Sequence, residues 1–171
     1  MNYFYKRVQK FREKNLDSLA KLYEYSTTIF EKNSYTKWAD SKEGGYTFGQ
    51  FRKTCDGLSK KLTQYGIGAG DKVAILSQSM PNWSVAFFSI VPFGRIAIPI
   101  LPDSSGNEVT NILKHSESKV IFISERLLPK LSEECKASLT LVIDIDTFEV
   151  LKSDDNKFTC DGKVSIPMPD D

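Results

Sequence analysis

The chain has 171 residues, 40% hydrophobic, 12% aromatic and 26% charged, a length and balance that suit one soluble globular domain and exclude a disordered or fibrous chain. A domain of about 150 residues buries roughly 70% of the surface its unfolded chain exposes, enough for a core without staples. Twenty-three lysines and arginines against 22 acids leave a formal net charge of +1, which offers no field for a polyanion, so no nucleic acid partner is expected.

The basic charge is concentrated at the start, where Lys6, Arg7, Lys10, Arg12 and Lys14 face Glu13 alone. Phe4, Val8 and Phe11 recur there at helical spacing, which predicts a helix that docks on the rest of the chain. A second reading of the same stretch is peripheral contact with an anionic membrane surface. Next, Leu19, Leu22, Tyr23, Ser26, Ile29 and Phe30 share a helix face that Asp17 is placed to cap. Residues 1–33 are thus read as N-terminal helices.

"YTKWADSKEGGYTF" (Tyr35 to Phe48) reads as a short hairpin around a polar loop ending in Gly44-Gly45. Thr47 and Gln50 form a capping box, and behind it Phe48, Phe51, Cys55, Leu58, Leu62 and Tyr65 step by threes and fours. Lys53, Lys60 and Lys61 fall off that stripe, on a face expected to be solvated.

A strand–helix rhythm follows, with apolar strands starting near Lys72, Ile96, Val120 and Thr140. One intervening helix enters at Ser79 and Pro81 with Trp83, Phe87 and Ile90 inward. A second enters through the box Ser105 to Glu108 with Val109, Ile112 and Leu113 inward. A third, after Ser124, is interrupted or begun by Pro129. The apolar stretch from Val85 to Pro102 is broken by Pro92, Gly94, Arg95 and Pro99, so it reads as helix, turn and buried strand instead of a membrane span. The fold class predicted is α/β: a parallel sheet flanked by helices on both faces, preceded by the N-terminal helices and the hairpin. The rhythm covers residues 34–146 and fades in an acid-rich tail, 147–171.

Cys55, Cys135 and Cys160 are far apart and form no C-x-x-C pair, and His115 is the one histidine. Such a set supports neither a zinc site nor a disulfide framework. Free thiols in a reducing cytoplasm are expected, and the charged start of the chain has no secretory apolar region.

Gly66, Gly68 and Gly70 raise the question of a phosphate loop. Phosphate-binding glycines follow a strand and open a helix, because the ligand uses free N–H groups at a helix N-terminus. Here a helix ends at Tyr65 and a strand begins after Asp71, so the glycines are read as a corner. Ligands of open parallel sheets bind at the carboxyl ends of strands. The candidates there are Ser77, Gln78 and Ser79, then Asp103, Ser104 and Ser105, then Ser124 and Glu125, each set doubling as a helix N-cap. Asp144 and Asp146, two apart at a strand end, have no nearby third ligand for a metal, and His115 has no local nucleophile or acid. No catalytic, cofactor-binding or metal residue is therefore assigned.

Tyr46 to Ser124 as a whole resembles the N-terminal region of the adenylate-forming enzymes. The matching pieces are Tyr46-Thr47, the Gly66 to Ile75 corner, Pro81-x-Trp83, the strand around Pro99, and the run from His115. Trp83 and "LKHSESKVIFIS" are most similar to the long-chain fatty acid CoA ligases. Two motifs depart from the family's pattern. Its Asn-x-Pro-Glu-Trp stands here as Ser79-Met80-Pro81-Asn82-Trp83, and its Ala-Gly-Ala turn as Phe93-Gly94-Arg95.

The resemblance implies that 34–146 is an α/β subdomain of such an enzyme. It also implies a parent that uses ATP and Mg²⁺ to form an acyl adenylate and CoA to make the thioester. A fatty acid substrate and dimer contacts come with it, while the free thiols point to a cytoplasmic place and the basic N-terminus, in the second reading of that start, to peripheral contact with the inner membrane face. The family's phosphate loop and catalytic lysine do not occur in the sequence, and "PMPDD" resembles the segment just before that loop. The chain alone is therefore expected to be inactive and to hold no cofactor. Two alternatives stay open: a stand-alone flavodoxin-like binding module, and the N-terminal part of an aryl or amino acid adenylating enzyme.

Overall fold

The computed structural model describes residues 14–39 and 44–153. The basic amphipathic segment up to residue 13, Cys160 and the end of the tail lie outside the described residues.

Helix α1 (Leu19–Ile29) is capped by Ser18, whose Oγ accepts from Lys21 N at 3.3 Å. Asp17 does not cap it as expected but pairs with Lys21 Nζ at 2.9 Å. The expected inward face is also corrected, because Tyr23 and Thr27 are the buried residues of α1 while Leu19, Leu22 and Ile29 are 42%, 38% and 58% exposed. Resting on the helix at Phe48–Gln64 and on the turn at Val91–Phe93, this outer helix buries only a narrow i, i+4 stripe, and Tyr23 fixes that stripe by donating to Asp56 Oδ1 at 2.8 Å.

Strands β1 (Ser34–Thr36) and β2 (Tyr46–Thr47) pair antiparallel, as the hairpin reading expected. Helix α2 (Phe48–Gln64) starts at the expected capping box: Gln50 N donates to Thr47 Oγ1 at 3.2 Å and Thr47 N to Gln50 Oε1 at 2.9 Å. Phe51, Cys55, Leu58 and Leu62 are buried along it. Lys61 departs from the solvated face assigned to it: half-buried, it donates to the Phe148 carbonyl at 3.4 Å, and burial lowers its pKa.

Strand β3 (Lys72–Leu76) leads to helix α3 (Pro81–Ile90), a 3-10 turn (Val91–Phe93) and strand β4 (Ile96–Ile100). Pro81 opens α3, but its N-cap is Met80 without a side-chain bond, so Ser79 does not cap it. The inward residues of α3 are Asn82, Val85, Ala86, Ser89 and Ile90. Trp83 and Phe87 are only half-buried and stack on each other, centroids 5.5 Å apart. The small Ala86 and Ser89 let α3 lie close to its neighbours, which turns the larger rings toward the rim.

Helix α4 (Gly106–Ser116) has the predicted box, with Ser105 N donating to Glu108 Oε2 at 2.7 Å, and Val109 and Leu113 are buried. After strand β5 (Val120–Ile123) the expected single helix is divided in two: a 3-10 stretch (Glu125–Lys130) containing Pro129, then α5 (Glu133–Ser138), capped by Ser132. Strand β6 (Leu141–Asp144) is followed by β7 (Val150–Ser153), which falls in the stretch read as tail.

The sheet order is β4-β3-β5-β6-β7; the first four strands run parallel and β7 pairs antiparallel with β6. Alternation sends Val73, Ile75, Val120, Phe122, Leu141 and Ile143 into a core with α2 and α3. Ala74, Leu76, Ile121, Ile123 and Val142 enter a second core with α4 and α5. On the open edge, Ile96 N–H donates inward to Asp71 O at 2.9 Å. By the period of two, the N–H that Pro99 lacks falls on the outer side, which blunts the edge against further pairing.

Candidate functional site

The carboxyl ends of β3, β5 and β6 bring four of the candidate residues together. Ser77 and Ser124 are both 3% exposed, and their hydroxyls lie 3.0 Å apart. Ser77 Oγ is also 3.1 Å from Met80 Sδ and 3.1 Å from the Gln78 carbonyl. Asp144 opposes Ile123 across the β5–β6 ladder. Its carboxylate accepts from Asp146 N at 3.1 Å and from Thr147 Oγ1 at 2.8 Å, an Asx-type turn that carries the chain toward β7. Partial burial, and then the Asp144 charge, raise the pKa of Asp146; bonds from the Glu125 backbone and the Ser124 hydroxyl, with Arg126 nearby, pull the other way.

Asn82 ties this cluster to the rest of the fold, a role the sequence reading did not assign. Buried at the start of α3, it accepts the Tyr46 hydroxyl at 2.7 Å and donates to the carbonyls of Ile145 and Asp146 at 2.9 and 3.0 Å. The signal for it was its departure from the family's glutamate: an amide offers both donor and acceptor, where a carboxylate only accepts. Burial pushes the Tyr46 phenol up to about 12, so it is a neutral donor at ordinary pH.

The side chains of the other candidates stand apart. Gln78, Ser79, Asp103 and Glu125 are exposed, and Ser105 caps α4. His115 lies exposed in the last turn of α4, which ends where β5 begins, so it sits at the opposite end of the sheet from the serine–aspartate cluster. Among the described residues no His/Cys/Asp/Glu group is arranged to hold a metal, and no buried side-chain nitrogen or oxygen lacks a partner. The cluster's hydroxyls and carboxylates are thus engaged with one another and with the backbone, an arrangement that locks strand ends and loops.

The glycine corner is resolved in detail. Gly66 N donates to Thr63 O at 2.9 Å and Ile67 N to Leu62 O at 3.0 Å, with Gly66 at φ +76°, the Schellman ending of a helix. Gly68 N donates to Asp71 Oδ2 at 2.7 Å and Gly70 N to Gly94 O at 2.8 Å. All three glycine amides are therefore engaged, and a carboxylate occupies the loop. A phosphate would find no free donors there and would meet the Asp71 charge.

The sequence profile of the AMP-binding enzymes matches residues 30–171. The chain belongs to the AMP-binding enzyme family. It is 28% identical over 120 residues to 4-hydroxybutyrate–CoA ligase 2 of Metallosphaera sedula, covering 68% of this chain and 21% of that one. It is 36% identical over 61 residues to the long-chain-fatty-acid–CoA ligase FadD15 of Mycobacterium bovis, covering 36% and 10%. Among solved structures, the anthranilate CoA ligase AuaEII in complex with anthranoyl-AMP superposes with a TM-score of 0.65 at 21% identity, over 72% of this chain and 24% of that one. That likeness establishes the shared fold. This member of the family therefore spans about a fifth of the length of one curated relative and a tenth of the other.

Proposed function

We propose that the chain is the N-terminal part of a long-chain fatty acid CoA ligase. Such an enzyme joins a fatty acid to AMP at the expense of ATP, with Mg²⁺, and then passes the acyl group to CoA sulfur. The observation that carries the reading is the profile match over 30–171, which includes the whole five-stranded sheet. The relative named for long-chain acids supports the fatty acid.

The glycine corner does not support a triphosphate site, because its amides are engaged and Asp71 lies among them. In this reading the chain's own side chains carry no step of the reaction. Its part in the reaction is to supply a rigid α/β layer that walls one side of the substrate region and supports dimer contacts. The run of basic residues before Asn15 supports peripheral membrane contact, for a cytoplasmic protein in this reading.

A second reading makes the acid aromatic, and the fold shared with an anthranilate CoA ligase favours it. Fatty-acid-dependent exchange of pyrophosphate into ATP tests both. The chain alone should show none. A longer polypeptide containing it should respond to long-chain acids more than to benzoate-type acids, and the reverse preference would favour the aromatic reading.

A further inference from the structure

A cleft of about 870 Å³ lies between β1, with the residues just after it, and the start of α3. Tyr35 and Trp38 wall it on the β1 side, and Met80, Pro81 and Trp83 on the α3 side. Three of these walls are braced by neighbours. Tyr35 stacks on Phe51 with centroids 4.1 Å apart, Trp83 stacks on Phe87, and the Met80 sulfur lies 3.1 Å from Ser77 Oγ. Trp38 is 43% exposed, a large apolar side chain left uncovered on the cleft wall.

The volume falls within the range of ligand sites, about 300–1,000 Å³. Ser79 and Met80 line the cleft and follow β3, so it opens on the carboxyl-end side of the sheet, where open α/β layers take their ligands. Its charge is one-sided. Among the described residues no carboxylate lines it, whereas Lys37 does, exposed and without an ion-pair partner among those residues. A lysine can lay its apolar stem along such a wall while its ammonium stays in water. Aromatic and aliphatic walls beside a single cation complement an apolar chain that ends in one negative charge. A polyanion finds too few cations there, and a single-ring acid leaves most of the volume unfilled.

We propose that this cleft binds a single-chain anionic amphiphile, a long-chain fatty acid carboxylate. Its alkyl chain lies against Trp38, Trp83 and Met80, and its carboxylate pairs with Lys37. The site belongs to the surface of this layer and takes no part in the chemical steps. It rests on the lining and charge of the cleft and not on the parent enzyme's substrate.

The chain has two tryptophans and both line the cleft, so its indole emission reports on this site. The 171-residue chain is titrated with dibrominated stearate below its aggregation concentration, since bromine quenches indoles only near contact. Saturable loss of at least half the emission is expected. Trp38→Phe and Trp83→Phe each leave one reporter, and both variants should still be quenched, because the ligand touches both walls. Lys37→Glu, at an exposed position where folding is spared, should weaken binding about fivefold. Benzoate at equal concentration should displace nothing. Absence of saturable quenching, quenching of one tryptophan alone, an affinity unchanged by Lys37→Glu, or displacement by benzoate would overturn the proposal. Binding is read without any ATP-dependent reaction, so such a failure leaves the proposed function standing.

Discussion

Arg95 donates twice to the carbonyl of Ile67, from Nε at 3.1 Å and from Nη2 at 3.0 Å. The guanidinium also reaches Ser59 Oγ at 2.8 Å, Ser59 O at 3.1 Å and Thr63 Oγ1 at 2.7 Å, and the residue is 5% exposed. Its partners are neutral oxygens at the C-terminal end of α2, where the helix dipole favours a cation. Arg95 thereby fastens the α3–β4 turn to the glycine corner.

Replacing Arg95 by Met fills similar volume but leaves those acceptors without donors. The expected loss is about 3 kcal/mol, since each buried acceptor stripped of its partner costs about 1–3 kcal/mol. Arg95→Lys should recover part of it, because an ammonium cannot span the same fork. Urea unfolding of the three proteins checks the ranking.

Asp71 contributes a pH-dependent increment of stability. Its pKa is lowered first by the hydrogen bond from Lys119, 2.7 Å away, and then by the Gly68 amide. A group depressed in the folded state stabilises fully above its unfolded value, about 3.9, and that contribution is lost as pH falls through the lower folded value. Asp71→Asn should therefore cost about 1 kcal/mol at neutral pH, with the difference from the parent shrinking below about pH 4. Denaturation midpoints compared at neutral and acid pH read this directly.

Asn82 and Tyr46 should behave as a coupled pair. Asn82→Ala is expected to cost about 2–3 kcal/mol, because it strands the Tyr46 hydroxyl and two backbone carbonyls, whereas Tyr46→Phe costs about 1 kcal/mol. The double variant should lose less than the sum by about 1 kcal/mol, as residues sharing a hydrogen bond do. Additive losses in the cycle would mean that the bond contributes nothing of its own.

Two glycines should differ in what they tolerate. A Cβ on Gly66 meets open space, so Gly66→Ala carries only the strain of φ +76°, about 1 kcal/mol. Gly94 has φ +79° and a Cβ there would lie 3.3 Å from the Ala69 side chain, so Gly94→Ala should cost more. Thermal melts of the two variants give the order.

The sequence made the regular parts of this fold legible where local chemistry is self-sufficient. The Thr47–Gln50 and Ser105–Glu108 boxes and the parallel strands follow from near-neighbour rules, and the corner at Gly66 follows from the order of helix, glycine and strand. What was not legible depends on partners distant in sequence. Arg95 reads as a charge breaking an apolar run until Ser59, Thr63 and Ile67 are seen around it. Lys61 reads as solvated until Phe148 O is placed beside it. Strand β7 exists because β6 offers it an edge; its own residues, Val150 to Ser153, end in Lys152-Ser153 and form no apolar run to announce a strand. At the strand ends, Ser77, Ser124, Asp144 and Asp146 were identifiable singly from their positions. Their mutual bonding, and the role of Asn82, required the folded arrangement.

The central claim is that this layer belongs to an enzyme activating long-chain fatty acids. Its most direct measurement is pyrophosphate–ATP exchange by a longer polypeptide that contains this chain, assayed across acids of different length and ring content. The account predicts exchange that depends on a long-chain fatty acid and is absent with the 171-residue chain alone. Exchange by the chain alone, or a longer protein that responds to no fatty acid, would contradict it.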